Sequence, residues 1–213
     1  VTIGALKGRE CYAGLDLGAA RDLTALVLVF PGDDGKIDVV PQFFMPETNI
    51  IERSSEDRVP YDVWAKQGFI KLIPGATIDP SFVAFAIHEA SEKYDLRTVA
   101  YDRWRIEDLK RELELFGATL PLEPFGQGFK EMSPAVDFLE RSVAEKLLRY
   151  AGNPMFNMCA ANAVVTRDAA GGRKLDKSKA AGRIDGLVAL AMALSVSKRH
   201  EPEALPACLM GLG

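Results

Sequence analysis

Alternation of apolar and polar positions is clearest near the start of the chain. Cys11-Tyr12-Ala13-Gly14-Leu15-Asp16-Leu17-Gly18 reads as a strand. Successive side chains of a strand point to opposite faces, so Tyr12, Gly14 and Asp16 share one side while Ala13, Leu15 and Leu17 share the other. Residues 23–30 are almost continuously apolar and form a second strand. Pro31-Gly32-Asp33-Asp34-Gly35 is dense in turn residues, and residues 37–45 make a third strand after it. Three strands joined by short turns predict an antiparallel meander.

Beyond it the periodicity changes. Residues 46–75 are irregular, with a short helix over 61–66 and an edge strand over 69–73 stopped by Pro74-Gly75. The spacing of Phe82, Phe85, Ala86, Glu89 and Ala90 predicts a helix over 80–94, with Asp79 as N-cap and Pro80 at its first position. A strand over 97–102 ends in Asp102. A helix over 106–116 is closed by Gly117, and residues 119–123 are another short strand. Gly126-Gln127-Gly128-Phe129 reads as a flexible loop, and Ser133-Pro134 as the start of a helix running to about residue 150. Residues 153–166 carry no clear signal beyond a strand at 163–166. The polar, glycine-containing segment 167–183 is expected to be mobile. Residues 184–197 are apolar nearly all round, which marks a helix packed in the core. The order β-β-β-α-β-α-β-α with a terminal helix predicts an α/β fold, a mixed sheet with helices on both faces. The expected organisation is a linker remnant at 1–10, one domain over 11–197 and a frayed tail at 198–213.

Composition narrows the function without deciding it. With 213 residues, 48% hydrophobic and 26% charged, the chain suits a single soluble core. A net charge of −4 gives no global sign of a polyanion partner, so any DNA-binding surface must be local. Cys11, Cys159 and Cys208 are far apart and have no zinc-like spacing. Their odd number and the absence of a signal peptide point to a reducing, intracellular setting. The longest apolar run, 187–196 with Ser195 inside it, is about half a membrane span, and no membrane partner is expected.

Three carboxylates stand where an element begins or ends: Asp16 in the first strand, Asp102 at the end of the fourth, and Asp185 in the first turn of the last helix. Singly, each has an ordinary explanation as a strand-end or capping residue. If strands one and four pair, however, Asp16 and Asp102 end neighbouring strands, and the last helix can bring Asp185 across them. Such a cluster repels itself until divalent cations neutralise it. Two ions roughly 3.5–4 Å apart can activate a water and stabilise the leaving oxygen of a phosphodiester, with no need for histidine. His88, mid-helix, and His200, in the tail, are poorly placed as bases, and no Ser-His-Asp pattern or phosphate-loop glycine run is evident.

Several ordered motifs resemble one family. Gly14-Leu15-Asp16-Leu17-Gly18 with Asp22-Leu23-Thr24-Ala25-Leu26-Val27 resembles the start of the nuclease domain of large terminase subunits of tailed bacteriophages. Ala100-Tyr101-Asp102-Arg103-Trp104 is similar to that family's second acidic motif. Met132-Ser133-Pro134-Ala135, Leu139-Glu140, Asn153-Pro154 and Asn162-Ala163-Val164 resemble its central region. The stretch from Lys179 through Arg183-Ile184-Asp185-Gly186-Leu187-Val188-Ala189-Leu190 resembles its closing motif. The resemblance covers roughly residues 10–197. It implies a ribonuclease H-like fold and a metal-dependent endonuclease that cuts concatemeric double-stranded DNA during packaging. Asp16, Asp102 and Asp185 would then hold two Mg2+ or Mn2+ ions. Asp22 reads equally as a further ligand or as a turn aspartate bonding its own backbone. Nothing fits G-x-x-x-x-G-K-[ST], so the family's N-terminal ATPase domain is expected to be missing, and the chain should cut DNA without pumping it. The resemblance further implies portal and small terminase subunit as partners, in the cytoplasm of the infected host.

Between Arg167 and Arg183 six basic residues face two acids. Arg173, Lys174, Lys177, Lys179 and Arg183 are therefore the candidate DNA contacts, with Arg103 and Trp104 weaker ones. Two other readings compete: an ATPase of the actin and sugar-kinase group, which would need a second glycine-rich phosphate loop, and a non-catalytic docking module whose acids only cap and solvate. Cleavage preference, the physiological metal, oligomeric state and the portal-contacting surface are not legible from the chain.

Overall fold

The computed structural model describes residues 2–18, 22–102 and 106–200. Arg103, Trp104, Cys208 and the tail beyond His200 lie outside the described residues. The meander forms as the alternation predicts. β1 (Glu10–Asp16) pairs antiparallel with β2 (Thr24–Pro31), which pairs antiparallel with β3 (Ile37–Pro46). After it come α1 (Ile50–Asp57), α2 (Tyr61–Lys66), β4 (Lys71–Ile73), α3 (Pro80–Lys93) and β5 (Asp95–Asp102). Next are α4 (Ile106–Leu115), β6 (Leu122–Phe125), α5 (Phe129–Ala144), β7 (Leu148–Tyr150), α6 (Pro154–Ala161), β8 (Val165–Arg167), β9 (Arg173–Leu175) and α7 (Asp185–Arg199).

The main sheet has seven strands in the order β4-β3-β2-β1-β5-β6, with β7 also on β3. β5 pairs parallel with β1, and β6 parallel with β5. The outer edge of β3 is shared: Phe44–Pro46 pairs with β4 and Ile37–Val39 with β7. Pro41 lies in the gap between them. Apolar clusters cover both faces. Tyr12 belongs to the side carrying α5, α6 and α7, while Ala13 and Leu15 belong to the side carrying α3 and α4, which is the alternation read from the chain. Among the described residues no helix is long and apolar enough to cross a membrane.

The capping signals at α3 and α4 hold. Asp79 accepts from Ser81 N at 2.9 Å, and Gly117 takes a left-handed φ of 68° just after α4. The start read at Ser133-Pro134 moves: α5 begins at Phe129, and Pro134 lies inside it. Its end moves too, because residues 148–150 form β7. Besides β7 and a short 3-10 helix at Ile3–Leu6, three elements among the described residues had no prediction: α1; α6, capped by Asn153 accepting from Phe156 N; and β9, which pairs with β8 within the segment expected to be mobile. Residues 2–9, read as linker remnant, place Leu6 in the core and Arg9 in an ion pair.

Two features set the frame of the molecule. At Gly14, α7 lies so close to β1 that a Cβ there would collide with the carbonyl oxygen of Ala189. A glycine on the strand and alanines on the helix thus let helix and sheet backbones approach. At the opposite end of the sheet, Asp38 is 5% exposed and held by two guanidiniums. Arg9 Nη1 donates to its Oδ2 at 2.7 Å, and Arg149 Nε and Nη2 donate to its two oxygens at 2.8 and 3.0 Å. Burial alone would raise the Asp38 pKa, but the two arginines outweigh it and hold the carboxyl below its ordinary value.

Gly14→Ala should destabilise the domain by about 1–3 kcal/mol or more in urea unfolding, since backbone rather than a flexible side chain must shift. Asp38→Asn should cost about 2–3 kcal/mol at pH 7, below the value for a fully buried pair because both arginines are partly exposed. A depressed carboxylate pKa contributes stability that is present above its unfolded value and lost as pH falls through the folded one. Wild type should therefore weaken below about pH 4 more steeply than Asp38→Asn, as measured by unfolding at stepped pH.

Candidate active site

Parallel pairing sets Leu15 of β1 opposite Tyr101 of β5, so Asp16 and Asp102 leave the sheet at the ends of adjacent strands. Asp185, the first residue of α7, arrives from above, where the partial positive charge of a helix N-terminus favours an acid. Asp16 is 0% exposed and Asp185 7%. Between them lies Lys177, whose Nζ is 2.6 Å from Asp16 Oδ2 and 2.9 Å from Asp185 Oδ1. The contact to Asp16 is ionic rather than directed, for Oδ2 is buried and accepts no well-oriented hydrogen bond. Its other oxygen accepts from Gln127 Nε2 at 3.3 Å. Gln127 is presented by the loop after β6, whose Gly126 N–H donates to Glu131.

Charges in this centre determine one another. Burial pushes the Asp16 carboxyl up; Lys177 opposes it and Asp185 adds to it, leaving Asp16 raised to about 6. Desolvation pulls the Lys177 ammonium down, yet the two carboxylates prevail and its pKa is raised, so it remains a cation. The lysine side chain is 39% exposed, with its ammonium held between the two acids. Cys159, buried nearby, has its thiol pushed by burial up to about 12, which leaves it an unreactive packing residue.

The five basic residues read as DNA contacts have different placements. Lys177 turns inward onto the acids. Arg173 is paired with Asp137 and with Glu140 of α5, and its backbone N–H donates to Ser133 Oγ. Lys174 lies over the Phe129 ring at 5.0 Å, and Lys179 is exposed. Arg183 is a junction: it pairs with Asp22, reaches Asp57 Oδ2 at 3.3 Å and donates to the Tyr61 hydroxyl at 3.3 Å. Asp22 Oδ1 also accepts from the adjacent Leu23 N at 2.7 Å, so the oxygen that pairs with Arg183 is bonded to the chain's own backbone as well. Asp102 is half-buried at the mouth of β5. Among the described residues no three His, Cys, Asp or Glu side chains form a group that could hold a metal ion. What the geometry does offer is two carboxylates turned onto a single cation, one of them with a buried oxygen lacking a directed donor. Hard oxygen donors of this kind suit Mg2+ or Mn2+. Gln127 had been read only as part of a flexible loop, and a polar residue between two glycines was its one signal. His88 stacks on Phe116 and His200 on Tyr12, with ring centroids 5.6 Å apart in both cases.

Comparison with known proteins places the chain in a defined class. The family model of the terminase large subunit endonuclease domain matches residues 1–201. The chain belongs to that family. It is 50% identical over 195 residues to the large terminase subunit of Enterobacteria phage HK97, covering 92% of this chain and 39% of that protein. The crystal structure of the HK97 large terminase superposes with a TM-score of 0.85, over 90% of this chain and 40% of that one. The large terminase nuclease of the thermophilic phage G20c with bound magnesium shares the fold at a TM-score of 0.55 and 17% identity, over 89% of this chain and 84% of that one. The fold is thus ribonuclease H-like, and the chain spans about two fifths of the HK97 relative.

Lys177→Met should leave two buried carboxylates without their counter-ion and cost about 3 kcal/mol in unfolding at pH 8. The cost should shrink at pH 5, where a protonated Asp16 needs no cation; a pH-independent cost would show that the lysine acts only through its stem.

Proposed function

We propose that this nuclease domain is a divalent-metal-dependent endonuclease that cleaves concatemeric double-stranded DNA, with Asp16, Asp102 and Asp185 holding two Mg2+ or Mn2+ ions. The observation that carries this reading is the convergence of Asp16 and Asp185 on one cation at the mouth of the central strands. The magnesium in the G20c nuclease lends it support. Bound divalent ions would activate a water and stabilise the leaving oxygen of the phosphodiester. The rest falls to side chains of the chain itself. Gln127 fixes the rotation of the Asp16 carboxylate by donating to Oδ1. Asp102, on the neighbouring strand end, is the third acid within the same sheet register. Lys177 balances the acids until a divalent cation does so, and its ammonium is then available to a phosphate oxygen. Arg183 holds Asp22, α1 and α2 around the mouth, so its part is positioning rather than DNA contact. An ATPase domain elsewhere in the subunit, the portal and the small terminase subunit are the proposed partners, in the infected cell's cytoplasm.

The test pairs plasmid cleavage with melting in EDTA, Mg2+ and Mn2+. Asp16→Asn should abolish cleavage and most of the metal-induced stabilisation, which for wild type reaches about 2.7 kcal/mol when the metal is at about 100 times its dissociation constant. If the variant still cuts, or metal stabilises both proteins equally, Asp16 is no ligand and the acids serve only to hold Lys177, as in a docking module.

A further inference from the structure

The loop after β6 has two sides. Gln127 donates to Asp16, while Phe125 before the loop and Lys130 after it line, with Phe138, Lys198 and Arg199, a groove of about 590 Å3 between α5 and the end of α7. Cations lie over the aromatic rings of this face. Lys198 Nζ is 4.9 Å and Arg141 Cζ 5.2 Å from the Phe138 centroid, and Arg199 Cζ is 5.6 Å from that of Phe125. In such pairs the apolar ring supports the stem and the charge stays at the surface.

The acids on this face are already engaged. Glu123 pairs with Arg199, Glu131 accepts from Gly126 N–H, and Asp137 and Glu140 hold Arg173. Lys130, Arg141 and Lys198 are exposed and, among the described residues, form no ion pair. Lys130, Arg141 and Lys198 thus form a row of cations outside ion pairs, with the charge of Glu131 among them, beside the loop whose glutamine touches the buried acid.

We propose that this groove is a second nucleic-acid contact, through which the sugar-phosphate backbone runs to or from the acidic centre, held by Lys130, Arg141 and Lys198. The inference rests on the nuclease reading, because continuity with the acids favours DNA over an acidic protein. Each phosphate neutralised releases counterions, so each contact adds about 0.9 to the slope of log affinity against log salt. The aromatic surface between the cations suits a sequence-independent track.

The experiment measures binding of a fluorescent duplex in EDTA, from about 50 to about 200 mM salt. It compares the full chain with the Lys130→Ala/Lys198→Ala variant and with one that adds Arg141→Ala. Melting of each variant should match wild type, since the three side chains are exposed. The salt slope should fall by about two in the double variant and about three in the triple, with affinity reduced equally on unrelated sequences. A wild-type slope in both variants, or loss of poly-glutamate binding with an unchanged DNA slope, overturns the proposal. Wild-type cleavage with Mn2+ is scored in parallel: failure to cut counts against the nuclease reading, whereas normal cutting with unaltered slopes counts against the groove alone.

Discussion

An aspartate with no solvent exposure, at the end of a central strand, is the constraint on which this molecule depends. A carboxylate removed from water is costly unless a charge and hydrogen bonds replace the lost hydration. Lys177 supplies the charge and Gln127 one of the hydrogen bonds, and each comes from a segment of little regular structure. Those segments are secured in turn: the glutamine loop by Glu131, and the hairpin of β8 and β9 by the pairing of Arg173 with α5. The second acid reaches the centre only because Gly14 lets α7 lie almost on the strand backbone. Strand, helix, loop and hairpin thus meet at one buried charge, the place proposed for the nuclease site.

Charge pairing also explains why a basic segment need not be a basic surface. Three of the five cations expected to face DNA spend their charge on acids of the chain itself, Arg173 on α5, Lys177 on the centre and Arg183 on Asp22 and Asp57. Lys130 and Arg141 of α5 and Lys198 of α7, distant in sequence, have no such partner among the described residues. Net charge of a segment counts residues; the surface potential depends on which of them are already neutralised.

Much of the architecture was legible because it rests on local chemistry. The alternation at 11–16 assigned Tyr12 and Leu15 to opposite clusters, and Asp79-Pro80 and Gly117 marked helix ends through hydrogen bonds that neighbouring residues can make. The pairing of Asp16 and Asp185 was foreseeable from an acid at a strand end and another at a helix start. What escaped depends on distant partners. Ser133 and Pro134 look like a helix start, yet α5 begins earlier, and Ser133 Oγ accepts from Arg173 N on the hairpin instead. β9 is polar and short, held by β8 and α5 rather than by any apolar pattern. A lysine facing a phosphate and one facing a carboxylate look alike in sequence, so the inward turn of Lys177 carried no signal.

The divided edge of β3 bears on how the domain behaves in company. A sheet edge with a free run of N–H and C=O groups invites another chain to add a strand. Here β4 and β7 cover the two ends of that edge, and the gap between them contains Pro41, which has no N–H to offer. An incoming strand would find too short a ladder to register. Wherever copies of this chain come close together, this edge is protected against sheet-to-sheet association by two three-residue strands and one imino acid.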